Sequence, residues 1–201
     1  AAVEQAIQGH ATAARRLVAE LRDDLLDTVA PVLSDRPALE GLLDTHVREI
    51  ERQLTELPRV EVAARPAVTD ALVSHGERIS SHVMTRLLRQ HGVDSAHVDA
   101  RDVLVTDDRF TGAAPLFGPT NERLRALVEP LVEGGRVVVM GGFIARTVDG
   151  RPTTLGRGGS DFTASIVGAG IGAEEIQIWT DVDGIMTADP SVVSEAKPLR
   201  R

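Results

Sequence analysis

The residues best suited to chemistry sit in three short stretches of the last third of the chain. In the middle one, Thr153-Thr154-Leu155-Gly156-Arg157-Gly158-Gly159-Ser160-Asp161, a guanidinium and a carboxylate stand among three glycines. Val137-Val138-Val139-Met140-Gly141-Gly142-Phe143 precedes it, and Ile178-Trp179-Thr180-Asp181-Val182-Asp183-Gly184 follows. Glycine lets backbone N–H groups approach an anion closely, and a helix beginning beside such a loop adds a favourable dipole. Arg157 offers a planar fork that meets a carboxylate or phosphate through two hydrogen bonds. Asp161 is suited to hold an ammonium group or to organise cationic neighbours. Together these types serve the handling of phosphates and small charged substrates.

To gather such stretches the chain needs a parallel sheet. The valine run predicts a central strand over 136–140, buried on both faces. A second strand is expected over 176–180, with a helix over 161–171 between them. In a right-handed crossover that helix starts at the rim where both strands end, and ligands of open α/β sheets bind at that rim. Gly141, Gly142, Arg157 to Asp161, Thr180 and Asp181 are therefore expected to converge. Ahead of them the chain reads as helical. Leu17, Leu21, Leu25 and Val29 form one apolar stripe, and Leu39, Leu43, Val47, Ile50 and Leu54 another. Ser34-Asp35-Arg36-Pro37 supplies turn and cap signals between them. A third helix is predicted from Pro66 to His91, with Gly92 as its C-terminal cap. Val98 and Val103-Leu104-Val105 suggest short strands, and 121–132 a helix. Helices followed by alternating strand and helix predict an α/β fold with a mainly parallel sheet.

The candidates also have plainer readings. Ser160 before Asp161 is an ordinary helix N-cap followed by a first-turn acid, and Gly141-Gly142 can be a tight turn. Asp181-Val182-Asp183-Gly184 is no calcium loop, because Met186 and Val192 stand where that loop needs Gly and Glu. Gly168-Ala169-Gly170-Ile171-Gly172 lacks the dinucleotide spacing and reads as packing and capping. On the third helix Glu77 shares a face with Val73, Ser80, Ser81 and Met84, which leans its carboxylate toward the core. There it needs a partner, either an arginine or the ammonium group of a ligand. His75 falls off that face and reads as structural. The remaining histidines, His10, His46, His82, His91 and His97, show no metal-ligand spacing.

Composition bounds the partners. The 201 residues carry a net charge of -8, which disfavours nucleic acid and anionic membranes. No apolar run approaches a membrane span, and the first residues lack a signal-peptide pattern, so cytoplasm is the expectation. With no cysteine, thiolate chemistry and disulfides are excluded. Lys197 is the only lysine. A phosphate handled here must be met by arginine, backbone N–H groups or a metal.

The stretch from Thr153 to Asp161 resembles the substrate-loop signature of aspartate kinases, within the amino-acid kinase family. Leu72-Val73-Ser74-His75-Gly76-Glu77, Asp107-Asp108-Arg109-Phe110, Gly142-Phe143-Ile144 and Trp179-Thr180-Asp181-Val182-Asp183-Gly184-Ile185 resemble that family too, in its order. The resemblance covers most of the chain and is weakest before Pro66. It implies a three-layer αβα sandwich of the amino-acid kinase type. It also implies transfer of the γ-phosphoryl of MgATP to the β-carboxylate of L-aspartate, the first step toward lysine, threonine and methionine. Carried over by resemblance, Arg157 and Asp161 are the catalytic pair. Glu77 and Asp161 sit near the substrate ammonium, Arg157 binds its α-carboxylate, and Gly159 and Ser160 line the loop. Thr180 and Asp181 contact the nucleotide, with Met186 where the family has an aromatic contact. ATP and Mg2+ are the implied cofactors, and a homo-oligomer the implied state. The family's Lys-Phe-Gly-Gly-Thr-Ser and Phe-Gly-Ala-Lys motifs have no counterpart, and Asp189-Pro190-Ser191 replaces Asp-Pro-Arg. The chain is thus expected to be the central portion of a catalytic domain, incomplete at both ends and inactive alone. Residues 1–92 would be its helical, aspartate-side part and 93–201 its α/β part. A non-catalytic amino-acid-binding relative, or a kinase of another amino acid such as glutamate, stands as the alternative.

Overall fold

Amphipathic spacing and two sharp start signals shape the first ninety residues. A computed structural model of the chain describes residues 1–179, 184, 186–188, 192–197 and 199. It opens with α1 (Ala2–Ile7), α2 (Ala11–Val29), α3 (Arg36–Glu56) and α4 (Arg65–Gln90). Asp35 caps α3 by accepting from the Ala38 amide at 3.1 Å, with Pro37 in the first turn. α4 likewise carries Pro66 in its first turn, and Gly92, at φ 80°, follows its end. Glycine adopts that conformation without a Cβ clash. Leu26, Leu33, Leu39, Leu43, Ile79 and Val83 form one core among these helices. Ala6, Ala14, Val18, Leu54, Leu57 and Leu72 form a second. Each fully buried leucine contributes about 1.5–3 kcal/mol.

The buried line of α2 runs through Ala14, Val18 and Leu26, so the expected leucine stripe is displaced by about one residue. Small side chains at 14 and 18 let α2 lie close to α1 and α3. The leucines then turn toward an open groove, and Leu21 is 51% exposed.

The second half holds β1 (Ser95–His97), α5 (Ala100–Val103), β2 (Val105–Thr106), α6 (Phe117–Leu127) and α7 (Glu129–Glu133). β3 (Val137–Val139), β4 (Ile144–Thr147), β5 (Pro152–Thr154) and α8 (Gly159–Gly170) follow. β1 pairs parallel with β3, Ser95 opposite Val137. In a second small sheet β2 pairs parallel with β4, and β4 antiparallel with β5. α4 covers one side of these strands. On the other side Ile166 of α8 packs with Ala100, Leu104, Ile144 and Ala145, while Leu124 of α6 packs with Val103 and Val128. Strands between two helical layers are the architecture expected of an αβα sandwich.

Two expectations about strands need correction. The valine run does form β3, but among the described residues it pairs on one edge only, and Val137 is 47% exposed. A continuous apolar run is buried on both faces only when neighbours cover both. Residues 176–179 form no strand. Ile176 packs instead on α8, where a Cβ at Gly168 would lie 2.5 Å from its side chain. Ile178 and Trp179 are 44% and 90% exposed, and Thr180 lies outside the described residues. Between β3 and α8 the chain makes the β4–β5 hairpin, which the crossover picture lacked. Its turn uses Gly150 at φ 90°, and the Thr147 hydroxyl accepts from the Arg151 amide at 2.9 Å while donating to Asp149. The glycines from 168 to 172 serve packing and capping as read. A Cβ at Gly170 would strike the Leu124 side chain at 2.3 Å, and Gly172 takes φ 64°.

Candidate functional site

Past the end of β3 the chain threads between two helices, and glycine makes this possible. A Cβ on Gly141 would lie 2.9 Å from the Glu77 carbonyl oxygen on α4. One on Gly142 would lie 2.8 Å from Cα of Ser160 on α8. Gly141-Gly142 is therefore more than a tight turn: it is the seam that brings Glu77 and Ser160 to one rim. Gly159 is enclosed similarly, with Phe143 Cδ2 at 2.9 Å and Leu155 Cβ at 3.1 Å from an added Cβ. Phe143, held at φ 68°, donates its N–H to Thr163 Oγ1 at 3.0 Å and accepts from the Leu155 amide at 2.9 Å. Thr163 Oγ1 in turn donates to the Gly159 carbonyl at 2.7 Å. These bonds fix where α8 begins.

Gly158, at φ 72°, is the N-cap of α8, and no side chain caps the helix. Ser160 thus lies inside the first turn, contrary to its plainer reading, while Asp161 is the first-turn acid that reading expected. The first amides of a helix lack intrahelical acceptors, and an anion placed there is favoured by the dipole. Arg157, Ser160 and Asp161 are exposed, and among the described residues their side chains have no partner; the Ser165 hydroxyl donates to the Asp161 carbonyl at 3.0 Å. Ser160, Gly142, Met140 and Thr163 line a groove of about 320 Å³.

Glu77 is half-buried, and its carboxylate has no partner among the described residues. Burial alone pushes its carboxyl above the ordinary value. The arginine salt bridge considered for it is absent: Arg78 next to it faces Asp99, at 3.3 Å. Its helix face is also less covered than expected. Val73 and Met84 are 42% and 50% exposed, and they line an apolar groove of about 590 Å³ whose far wall is Leu21 and Leu25. Val73, Ser80 and Met84 look onto that groove rather than onto a closed core, whereas Ser81 is buried and Glu77 Cβ lies toward Gly141.

The loop from Asp107 to Pro115 lies against the end of β5, where the Ala113 amide donates to the Thr154 carbonyl at 2.8 Å. Asp107 accepts from the Ala114 amide at 2.9 Å and from Arg109 Nε at 2.6 Å, and these bonds, the amide first, hold its carboxyl below the usual range. Thr111, at φ 69°, sets its carbonyl oxygen 3.3 Å from where a Cβ of Gly156 would stand. Asp70 of α4, 1% exposed, bonds to both Thr111 and Thr154.

Of the sequence-expected residues, Glu77, Gly159 and Ser160 are joined through the glycine seam, with Arg157 and Asp161 flanking α8's start. Thr180 and Asp181 lie outside the described residues, and Met186 is half-buried. Among the described residues no group of three or more acids and histidines is arranged to hold a metal. His75 proves buried and structural in its contacts, its Nδ1 2.7 Å from Nδ1 of His46. Asp70 and Thr163 went unnoticed in the sequence. The available signal for Asp70 was its place seven residues before Glu77, an acid on the same face of one helix.

Known proteins resemble this chain in sequence and fold. Residues 6–201 match the model described as "Amino acid kinase family". "Lysine-sensitive aspartokinase 3" of Escherichia coli (strain K12) is 43% identical over 155 residues, 75% of this chain and 34% of that protein. "Aspartokinase 1" of Bacillus subtilis (strain 168) is 44% identical over 138 residues, 68% of this chain and 33% of that protein. The solved structure of E. coli aspartokinase III in complex with aspartate and ADP superposes with a TM-score of 0.82 at 30% identity, covering 99% of this chain and 44% of that one. The chain thus spans 34% and 33% of the length of these two relatives.

Proposed function

This chain belongs to the amino acid kinase family, and we propose that its glycine-bridged rim serves transfer of the γ-phosphoryl of MgATP to the β-carboxylate of L-aspartate. The observation that carries the reading is Glu77. A half-buried carboxylate without a partner is costly, and a ligand ammonium group removes the cost. Arg157 then takes the α-carboxylate through its fork, and Asp161 adds a second acid for the ammonium. The β-carboxylate oxygen attacks the γ-phosphorus, the bond to the β,γ-bridging oxygen breaks, and ADP leaves. No proton needs to move, because the attacking carboxylate is already ionised. Such a reaction asks the protein mainly for positioning and charge neutralisation. The amides of Ser160 and Asp161 in the first turn of α8 suit close approach of phosphate oxygens. Thr180, Asp181 and Met186 are proposed on the nucleotide side. Mg2+ would be held chiefly by the nucleotide's phosphates and would supply charge neutralisation there.

The same reading takes the parent enzyme as cytoplasmic and homo-oligomeric. The net charge of -8 on these 201 residues suits neither nucleic acid nor an anionic membrane. No helix among the described residues is long and apolar enough to cross a membrane. The test is calorimetric titration with L-aspartate, L-glutamate and N-acetyl-L-aspartate. L-Aspartate should bind best, the acetylated compound should give no heat, and Glu77→Gln should weaken L-aspartate by about tenfold or more. Equal uptake of the acetylated compound would remove Glu77 from its role and the reading with it.

A further inference from the structure

The buried carboxylate of Asp70 is used by nothing in the reaction described above, yet its bonds all point at the site's scaffold. Oδ2 accepts from the Thr111 amide at 2.8 Å and the Thr154 amide at 3.0 Å, and Oδ1 accepts from the Thr154 hydroxyl at 2.8 Å. Burial raises its proton affinity, and the bonds from Thr111 and Thr154 oppose that without overcoming it. Among the described residues no arginine or lysine neutralises it, and three dipoles hold the charge. An acid kept in so dry a place costs stability unless every oxygen is satisfied.

What makes the staple informative is where its three bonds land. Thr154 ends β5 and stands three residues before Arg157. Thr111 is the left-handed residue whose carbonyl oxygen sits against Gly156. Both walls of the loop that delivers Arg157 are therefore tied to one carboxylate. That carboxylate rides on α4 seven residues before Glu77. Seven residues are almost two helical turns, so the two acids share a face about 10 Å apart along a rigid element. The helix carries the ammonium acceptor at one point and anchors the guanidinium loop at the other.

We propose that Asp70 is a positioning residue that fixes the loop from Thr154 to Arg157 against α4 and so sets the span between Glu77 and Arg157. Its importance for L-aspartate rests on the function proposed above, whereas its hold on the loop does not. Two variants separate geometry from charge. In Asp70→Asn one amide oxygen can still accept from both backbone N–H groups, and the amide nitrogen can donate to the Thr154 hydroxyl. In Asp70→Ala all three donors lose their acceptor.

The experiment pairs amide hydrogen exchange with L-aspartate calorimetry on the chain and both variants. In Asp70→Ala the amides of Thr111, Thr154 and Gly156 should exchange about tenfold faster or more, with Ile79 and Val83 still protected. Asp70→Asn should stay within about threefold of the parent chain in both exchange and affinity. L-Aspartate affinity should fall about tenfold or more in Asp70→Ala. Unchanged loop exchange in Asp70→Ala would overturn the proposal, as would loss of protection throughout α4, which would mark a general structural role. An Asp70→Asn variant as impaired as Asp70→Ala would also overturn it. If the parent chain itself takes up no L-aspartate, the substrate reading fails, and exchange at 154–156 still decides whether Asp70 holds the loop.

Discussion

Gly142 has no room for a methyl group. An added Cβ would meet Cα of Ser160 at 2.8 Å and its Cβ at 3.0 Å, and both are fixed atoms of a helix. The strain cannot be relieved by rotating a side chain; α8 or the strand end must move. Overpacking of this kind costs about 1–3 kcal/mol. Gly142→Ala should therefore lower the urea midpoint and weaken L-aspartate, since the start of α8 is where Ser160 and Asp161 are presented. Gly118 on α6 is the control: nothing lies within 4 Å of its added Cβ. Gly118→Ala should leave aspartate affinity unchanged and stability equal or slightly higher. Equal behaviour of the two variants would show that the seam tolerates motion the geometry forbids. The sequence named Gly141 and Gly142 as a pair able to approach an anion, but their approach to the helices was invisible there. The close approach of Gly141 to α4 and of Gly142 to α8 is a property of the packed chain.

α3 and α4 are locked together by a bond that depends on pH. His46 and His75, 4% and 2% exposed, lie with Nδ1 atoms 2.7 Å apart and rings at 84°. One Nδ1 must donate and the other must accept, so both rings stay neutral. Burial, then the positive charge of Arg78, lowers each to about 4. Arg101 adds to this at His75, and Glu49 opposes it at His46. The unfolded chain, with ordinary imidazoles near 6.5, binds protons more readily than the folded one. Stability is thus fully present above about pH 6.5 and falls as pH drops toward 4, by a few kcal/mol at the order-of-magnitude level. Urea midpoints measured from pH 7.5 to 4.5 should decline, and His46→Leu with His75→Leu should decline less steeply. Parallel curves would mean that other groups carry the pH dependence. These helices were the most legible part of the sequence. Their start signals and periods act within one turn or a few residues, as Asp35, Pro37 and Gly92 show. The partnership of His46 with His75 was not legible, because 29 residues separate them and nothing in their spacing marks a pair. The β4–β5 hairpin was missed for a related reason. Its strands are three and four residues long and are stabilised by neighbours rather than by a pattern of their own.

Across the whole molecule the balance of charge sets what the site can do. Acids outnumber lysines and arginines by 30 to 22, and Lys197 is the only lysine. Transfer of a phosphoryl group needs cationic groups set against the negative equatorial oxygens and leaving phosphate. Arg157 is the guanidinium of the loop motif, and the reading spends it on the α-carboxylate of the substrate. The two lysine motifs of the aspartate kinase resemblance do not occur among the 201 residues. Removing one preorganised stabiliser costs about 10²–10³ in rate. Kinases turn over at about 1–100 per second, so two such losses leave about 10⁻² per second at most. The chain incubated with MgATP and L-aspartate should accordingly form acyl phosphate, trapped as the hydroxamate, no faster than about 10⁻² per second. Calorimetry on the same preparation should still register L-aspartate, because Glu77, Arg157 and Asp161 are present. Binding without transfer would locate the division of labour: amino-acid recognition on α4 and the loop before α8, phosphate neutralisation on residues outside this span. Transfer at about 1 per second or faster would instead mean that Mg2+, backbone amides and arginine suffice, and the role assigned to the lysines would fall.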